Sequence, residues 1–335
     1  MNILAPIRSL EETAPLIAAG AQELYCGMQP GPWLKRSGRH QWINRREPGK
    51  GNLDSPAALQ ALVDQSHRLG VPVFLALNQT TYAPEMYPDL ITLLKEVSGG
   101  TCGSIDAVIA ADPGLIIAIK EALPDLPIHV SSMAAVLNRS AALFFRSLGV
   151  SRIIFPRYLP LSSMEGIIQA AGPDMEYEAF LLNDGCVFEE SFCHACHAFG
   201  GAFCHNPIWF YRLVRTKGEL SEAERRAFEG HLDDYRDWIR HGIKNSGVEL
   251  SPSGIPTGMC GLCALPALRS LGVTSLKIVG RESSLEKKTA SVHLVKGVLD
   301  LLDSPAPLDI ADFQAKAKAS RGTCFGRYTC YYRDV

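Results

Sequence analysis

The stretch AVIAADPGLIIAIKEALPDLPIHVSSMAAVLNRSAALFFRSLGVSRIIFPRYL, residues 107–159, decides the fold class. It holds three short β-rich runs, Ala107–Ala111, Ile128–Ser131 and Arg152–Phe155. Helical patterns at Pro113–Leu123 and Asn138–Leu148 separate them, and Asp112 stands before Pro113 where a capping side chain belongs. Strands that alternate with helices at this spacing pair in parallel through βαβ crossovers.

The alternation continues in both directions. Upstream lie strands Ile3–Ala5, Glu23–Cys26 and Val71–Leu77. Ser9-Leu10-Glu11-Glu12 reads as a capping box opening the first helix, Ser55-Pro56 starts the second, and Glu85–Glu96 is the third. Downstream come helix Ser162–Ala171, strand Tyr177–Leu182, helix Leu265–Leu271 and strand Ser275–Val279. Eight strands point to an α/β fold, a closed (β/α)8 TIM-like barrel, for which 335 residues suffice. An open doubly wound sheet satisfies the same periodicity.

Two segments break the rhythm. Residues 183–271, between strands seven and eight, hold six of the ten cysteines and an amphipathic helix running from Ser221 to about His241. The tail after Asp303 carries Cys324 and Cys330. The expected division is a barrel over 1–303, including a cysteine-rich insertion at about 183–271, and a tail over 304–335.

Composition narrows the function. With 47% hydrophobic residues the chain can fill a large core. Lys plus Arg (33) nearly balances Asp plus Glu (35), so there is no overall basic footprint for nucleic acid. Met1–Pro6 lacks the basic and apolar regions of a secretory leader, and no apolar run is long enough to span a membrane. The expectation is a cytoplasmic protein, whose cysteines serve metal binding or catalysis rather than disulfides.

Cys186, Cys193, Cys196 and Cys204 fall within nineteen residues, followed by Cys260 and Cys263. Soft thiolates at this density suit zinc or an iron–sulfur centre. Cys193/Cys196 with Cys260/Cys263 would make a zinc site. The irregular spacing, and an insertion leaving the C-terminal end of a barrel strand, suit a cluster. Asn78, Asp112, Ser131, Arg157 and Arg281 also stand at strand C-termini. Arg157 and Arg281 are candidates to hold a carboxylate bidentately, whereas Asp112 suits a helix cap. His129 and Ser131 share a strand face without the sharp elbow of a serine nucleophile. Cys26 reads as a packed thiol or a spare ligand, and His194, His197 and His205 as bystanders. The loop Trp33–Lys50, with Lys35, Arg36, Arg39, His40, Arg45 and Arg46, reads as a lid ahead of an RNA contact.

The run Glu178-Ala179-Phe180-Leu181-Leu182-Asn183-Asp184-Gly185-Cys186, with Cys193 seven residues on, resembles the signature of the collagenase-like peptidase U32 family. Leu4-Ala5-Pro6, Leu77-Asn78, Asp112-Pro113-Gly114, His129-Val130-Ser131, Leu262-Cys263 and Ser275–Arg281 extend the resemblance over roughly residues 1–300. It implies a 4Fe–4S cluster on Cys186, Cys193, Cys204 and Cys263. It also implies oxygen-independent hydroxylation of a quinone-precursor ring, a tRNA uridine or a ribosomal cytidine, with prephenate as oxygen donor in several members. Three departures stand out: Tyr158 replaces the Glu after Arg157, Val279 replaces the Glu of Lys-Ile-Glu-Gly-Arg, and Gly200-Gly201 replaces a basic run. RNA-acting members tend to carry a further C-terminal domain. The expectation is therefore an iron–sulfur hydroxylase of a small, carboxylate-bearing substrate, with Arg157, Arg281 and Asn78 in its active site and nucleic acid in second place. The alternatives are a peptidase and a non-catalytic iron–sulfur subunit working beside a related partner.

Overall fold

Every β-rich run becomes a strand. The computed structural model describes residues 1–31, 33, 42–46, 49–99, 104–186, 193, 212–238, 249–306, 308–322, 324 and 329–335. The strands are β1 Asn2–Pro6, β2 Glu23–Gly27, β3 Val73–Leu77, β4 Ala107–Ala110, β5 Ile128–Val130, β6 Arg152–Ile154, β7 Glu176–Asn183, β8 Met259–Cys260 and β9 Ser275–Ile278. β1 through β7 pair in parallel in chain order, and β9 pairs in parallel with both β7 and β1. That second pairing closes the ring and rules out the open sheet. β8 is an extra short strand inside the insertion, antiparallel to the end of β7.

The helices are α1 Thr13–Ala19, α2 Pro56–Arg68, α3 Tyr87–Ser98, α4 Pro113–Ala122, α5 Arg139–Ser147, α6 Leu161–Ala171, α7 Glu222–Trp238, α8 Leu265–Ser270, α9 Leu285–Leu302 and α10 Ile310–Arg321. Ser55 caps α2 by accepting from the Ala58 amide at 3.3 Å, and Asp112 caps α4 by accepting from the Gly114 amide at 2.8 Å. The capping box at Ser9 does not form, and α1 begins only at Thr13, with no cap from Ser9. Glu12 is drawn elsewhere: its carboxylate lies 2.7 Å from the buried Lys288 ammonium on α9. An unpaired buried ammonium costs more than a cap contributes. Among the described residues no helix is long and apolar enough to cross a membrane.

Side chains alternate across each strand, so every second residue enters the barrel. The interior holds an ion cluster. Arg152 reaches Glu23 and Glu176 at 2.8 Å and Glu178 at 3.3 Å, and Lys277 reaches Glu178 at 2.7 Å. Burial alone would raise the Glu23 carboxyl, but the hydrogen bond and charge of Arg152 outweigh it and hold it below its ordinary range.

His129 shares this interior, edge-on to Phe74 with ring centroids 4.6 Å apart. Burial, and then the charges of Arg152 and Lys277, hold it well below 6.5, so it stays neutral when folded. The unfolded ring takes up a proton below about 6.5. Stability should therefore fall with pH below that point, by up to about 1.4 kcal/mol per pH unit. Urea midpoints at pH 7.5, 6.5 and 5.5 should show this slope, and His129→Phe should flatten it. Equal slopes in both proteins would assign the acid sensitivity to other groups.

The tail is built into the barrel. The Cys260 amide donates to the Thr329 carbonyl at 2.6 Å, and the Tyr331 amide to the Cys260 carbonyl at 3.0 Å. The Tyr331 hydroxyl donates to the carbonyls of Asp184 at 2.8 Å and Asn183 at 3.2 Å, and that of Tyr332 to Phe180 at 2.7 Å.

Candidate active site at the barrel mouth

The C-terminal ends of the strands enclose a cavity of about 150 Å³. Arg281 enters it one residue beyond Gly280, which holds φ 103° after β9. Arg281 is 4% exposed, and its guanidinium donates to Asn44 Oδ1 at 3.1 Å and Asn52 Oδ1 at 3.4 Å. Among the described residues no carboxylate pairs with it. A Cβ at Gly27 would fall 1.6 Å from Arg281 Nη1, so only glycine lets the guanidinium cross the end of β2. Burial, and after it the charge of Arg46, lowers Arg281 to about 10, which leaves it charged at neutral pH. A buried cation held by neutral amides lacks a counter-charge, and an anion in the cavity would supply it.

The neighbouring groups strengthen that field. Arg157 donates from Nε to the Asp184 carbonyl at 3.1 Å and lies 4.1 Å over the Phe180 ring. Arg46 pairs with Asp184 and Glu282, both at 3.4 Å. Lys277 sits 4.1 Å above the Tyr25 ring while it pairs with Glu178. Asn78 lines the cavity, and its Oδ1 accepts from the Arg45 amide at 3.3 Å, which holds the basic loop at the rim. Val279, in place of the resemblance's Glu, also lines the cavity and leaves its cations with one fewer acid.

Cys186 and Cys193 line the same cavity, and Arg45 Nη2 lies 3.5 Å from Cys193 Sγ. Tyr158, at the position of the resemblance's other missing Glu, clasps Cys186 by its backbone. Its hydroxyl donates to the Cys186 carbonyl and accepts from the Cys186 amide at 3.1 Å. Cys263 is not with them. Pairing antiparallel to β7, β8 leads into α8, so the chain has left the mouth before it reaches Cys263. Cys263 instead lines a smaller cavity with Cys260, Cys324 and Cys330. Cys204, Cys196, Cys102, His194, His197, His205 and the loop residues Lys35, Arg36, Arg39 and His40 lie outside the described residues. Cys26 is a packed thiol, raised by burial to about 12.

Ser131 accepts from the Met133 amide at 3.2 Å, while the His129 ring is sealed among Phe74 and the ion cluster. Strand position brings these two residues close without making them a catalytic pair. Sequence reading missed the parts played by Lys277, Tyr25 and Tyr331. The first two had a signal, because Glu23/Tyr25 and Ser275/Lys277 are two apart on barrel strands and so face inward together. Tyr331 had none.

The sequence profile of peptidase family U32 matches residues 8–333. The chain belongs to peptidase family U32. The tRNA hydroxylation protein P of Escherichia coli is 29% identical over 57% of this U32 chain and 38% of its own length. A 23S rRNA 5-hydroxycytidine synthase of the same organism is 27% identical over 84% of the chain and 36% of its own. The tRNA hydroxylation protein P1 of Bacillus subtilis is 23% identical over 89% and 63%. The U32 chain thus spans well under half the length of the two Escherichia coli relatives. A solved U32 peptidase superposes with a TM-score of 0.42 at 19% identity, over 54% of this chain and 68% of that one.

Relatives named for tRNA and rRNA overturn the expectation of a small-molecule substrate with nucleic acid in second place. Net charge misled because it averages over the molecule. Arg45, Arg46, Arg157, Lys277 and Arg281 all converge on one mouth.

Proposed function

We propose that this U32 chain takes part in hydroxylating a pyrimidine base in RNA. The observation that carries the reading is the small cationic mouth, together with relatives named for hydroxylating tRNA and rRNA. At about 150 Å³ the cavity matches the size of one that takes a single benzene ring. That suits one unstacked base or one small dicarboxylate, with the Tyr25 and Phe180 rings as apolar walls. Arg45 and Arg46 at the rim suit phosphates, which position an RNA without reading its sequence. Arg281 and Arg157 suit the carboxylates of an oxygen donor such as prephenate, which the family resemblance implies.

Replacing a ring C–H by C–OH is a two-electron oxidation, and a 4Fe–4S cluster would supply redox chemistry when bound. The described thiols fit such a cluster in part. Cys186 and Cys193 share the mouth and are its proposed ligands, Cys204 is a proposed ligand outside the described residues, and Cys263 faces another cavity. The chain's own residues orient the substrate, neutralise anions and screen the Cys193 sulfur with Arg45. The peptidase alternative draws no support from Ser131, whose hydroxyl accepts from the Met133 backbone amide.

Mass spectrometry of nucleosides from tRNA and rRNA tests the reading. Anaerobically grown cells without the gene should lack one hydroxylated pyrimidine, and restoring the gene should return it. Identical nucleoside profiles with and without the gene would reject the proposal.

A further inference from the structure

We infer that Cys260, Cys263, Cys324 and Cys330 form a second metal site, apart from the barrel mouth, that takes one thiophilic divalent cation of the zinc class. The four come from two distant segments with spacings C-x₂-C and C-x₅-C. Backbone pairing brings the segments together: residues 260 and 330 form a parallel bridge, fixed by the Cys260 to Thr329 and Tyr331 to Cys260 hydrogen bonds. All four residues line one small cavity of about 30 Å³, and none is in a disulfide. The space fits one ion, with zinc–sulfur bonds of about 2.3 Å.

Charge agrees with this. A divalent ion with four thiolates carries −2, and the same cavity is lined by Lys318 and Arg321. Arg321 is held there by donating to the Gly258 carbonyl at 2.7 Å, one residue before β8. The remaining walls are Gly261, Leu262, Ala264, Ala317, Thr329 and Tyr332, none of which carries an imidazole or a carboxylate. Such walls leave the thiolates as the ligands an ion would meet. Among the described residues no three of these side chains stand together as a preformed metal-ligand shell, so the site requires the thiols to move on binding. Metal binding would then clamp α10 and the terminal segment onto β8, because each half of the ligand set lies on one of the two pieces.

Cobalt(II) is the probe. The full chain carrying Cys186→Ser and Cys193→Ser, which disables the mouth thiols, is titrated anaerobically with cobalt(II) alone. One equivalent should bind with thiolate-to-cobalt charge-transfer bands and the visible bands of a tetrahedral ion, and zinc should displace it. Adding Cys324→Ser and Cys330→Ser should abolish those bands. Hydrogen exchange on the otherwise unaltered chain gives an independent reading. Chelation should speed exchange in 310–321 and 329–332 while β1 to β6 stay protected. Unchanged cobalt bands after the tail substitutions would overturn the site, as would exchange indifferent to zinc. Loss of iron in Cys263→Ser but not in Cys324→Ser would also overturn it, by returning Cys263 to the mouth.

Discussion

Arg281→Lys should lower the yield of the hydroxylated nucleoside by at least about tenfold, and what remains should fall as pH rises. The first effect follows from shape: a guanidinium offers two parallel donors to a carboxylate or phosphate, and an ammonium offers a point charge. The second follows from the surroundings. Burial and Arg46 already lower the guanidinium to about 10. The same burial and the same charge would lower an ammonium from its ordinary value of about 10.4. The substituted side chain would then lose its charge, and its hold on an anion, at a lower pH than an ordinary lysine does. Nucleoside yield and anion titrations at pH 6.5, 7.5 and 8.5 check both effects in one series. Tenfold loss with no pH trend would show that shape alone matters. Unchanged yield would remove Arg281 from the site.

The second large effect concerns stability. Arg152→Met should cost about 3–5 kcal/mol, because Glu23 and Glu178 would remain buried with the charge between them gone. Glu178 keeps Lys277, but among the described residues Glu23 keeps only neutral donors, Ser275 and Asn2. Without Arg152, burial would push the Glu23 carboxyl up. A carboxyl raised in the folded state holds its proton more tightly there than in the unfolded chain. The variant should therefore regain stability relative to wild type as pH falls toward 5. Urea denaturation at pH 7.5 and 5.5 measures both the loss and its recovery. A loss under about 1 kcal/mol would mean that the acids find other cations.

What the sequence made legible was local. The eight barrel strands rest on short β-rich runs between helical patterns, and the Ser55 and Asp112 caps act within three residues of themselves. Arg157, Arg281 and Asn78 reach one cavity because a barrel collects its strand ends at one face. Distance in the chain hid the rest. Glu12 abandoned its capping box for Lys288, 276 residues away. Cys263 followed β8 out of the mouth, and a two-residue antiparallel strand leaves no periodic trace. RNA stood second because charge was counted over the whole chain rather than at its mouth, and because RNA-acting members of the family tend to carry a further C-terminal domain.

The hydroxyl of Tyr331 grips the same Asp184 carbonyl that positions Arg157. On the ribosome this sets an order of events. The eight strands are complete once residue 278 has emerged, and the barrel can close around its ion cluster. The mouth cannot, since the tyrosine that fixes the end of β7 lies more than fifty residues downstream. Nascent chains should thus pass through a stage in which the barrel is shut but Arg157 is not yet aimed. Until residue 331 arrives, a base or donor entering the mouth would meet a guanidinium without its anchor.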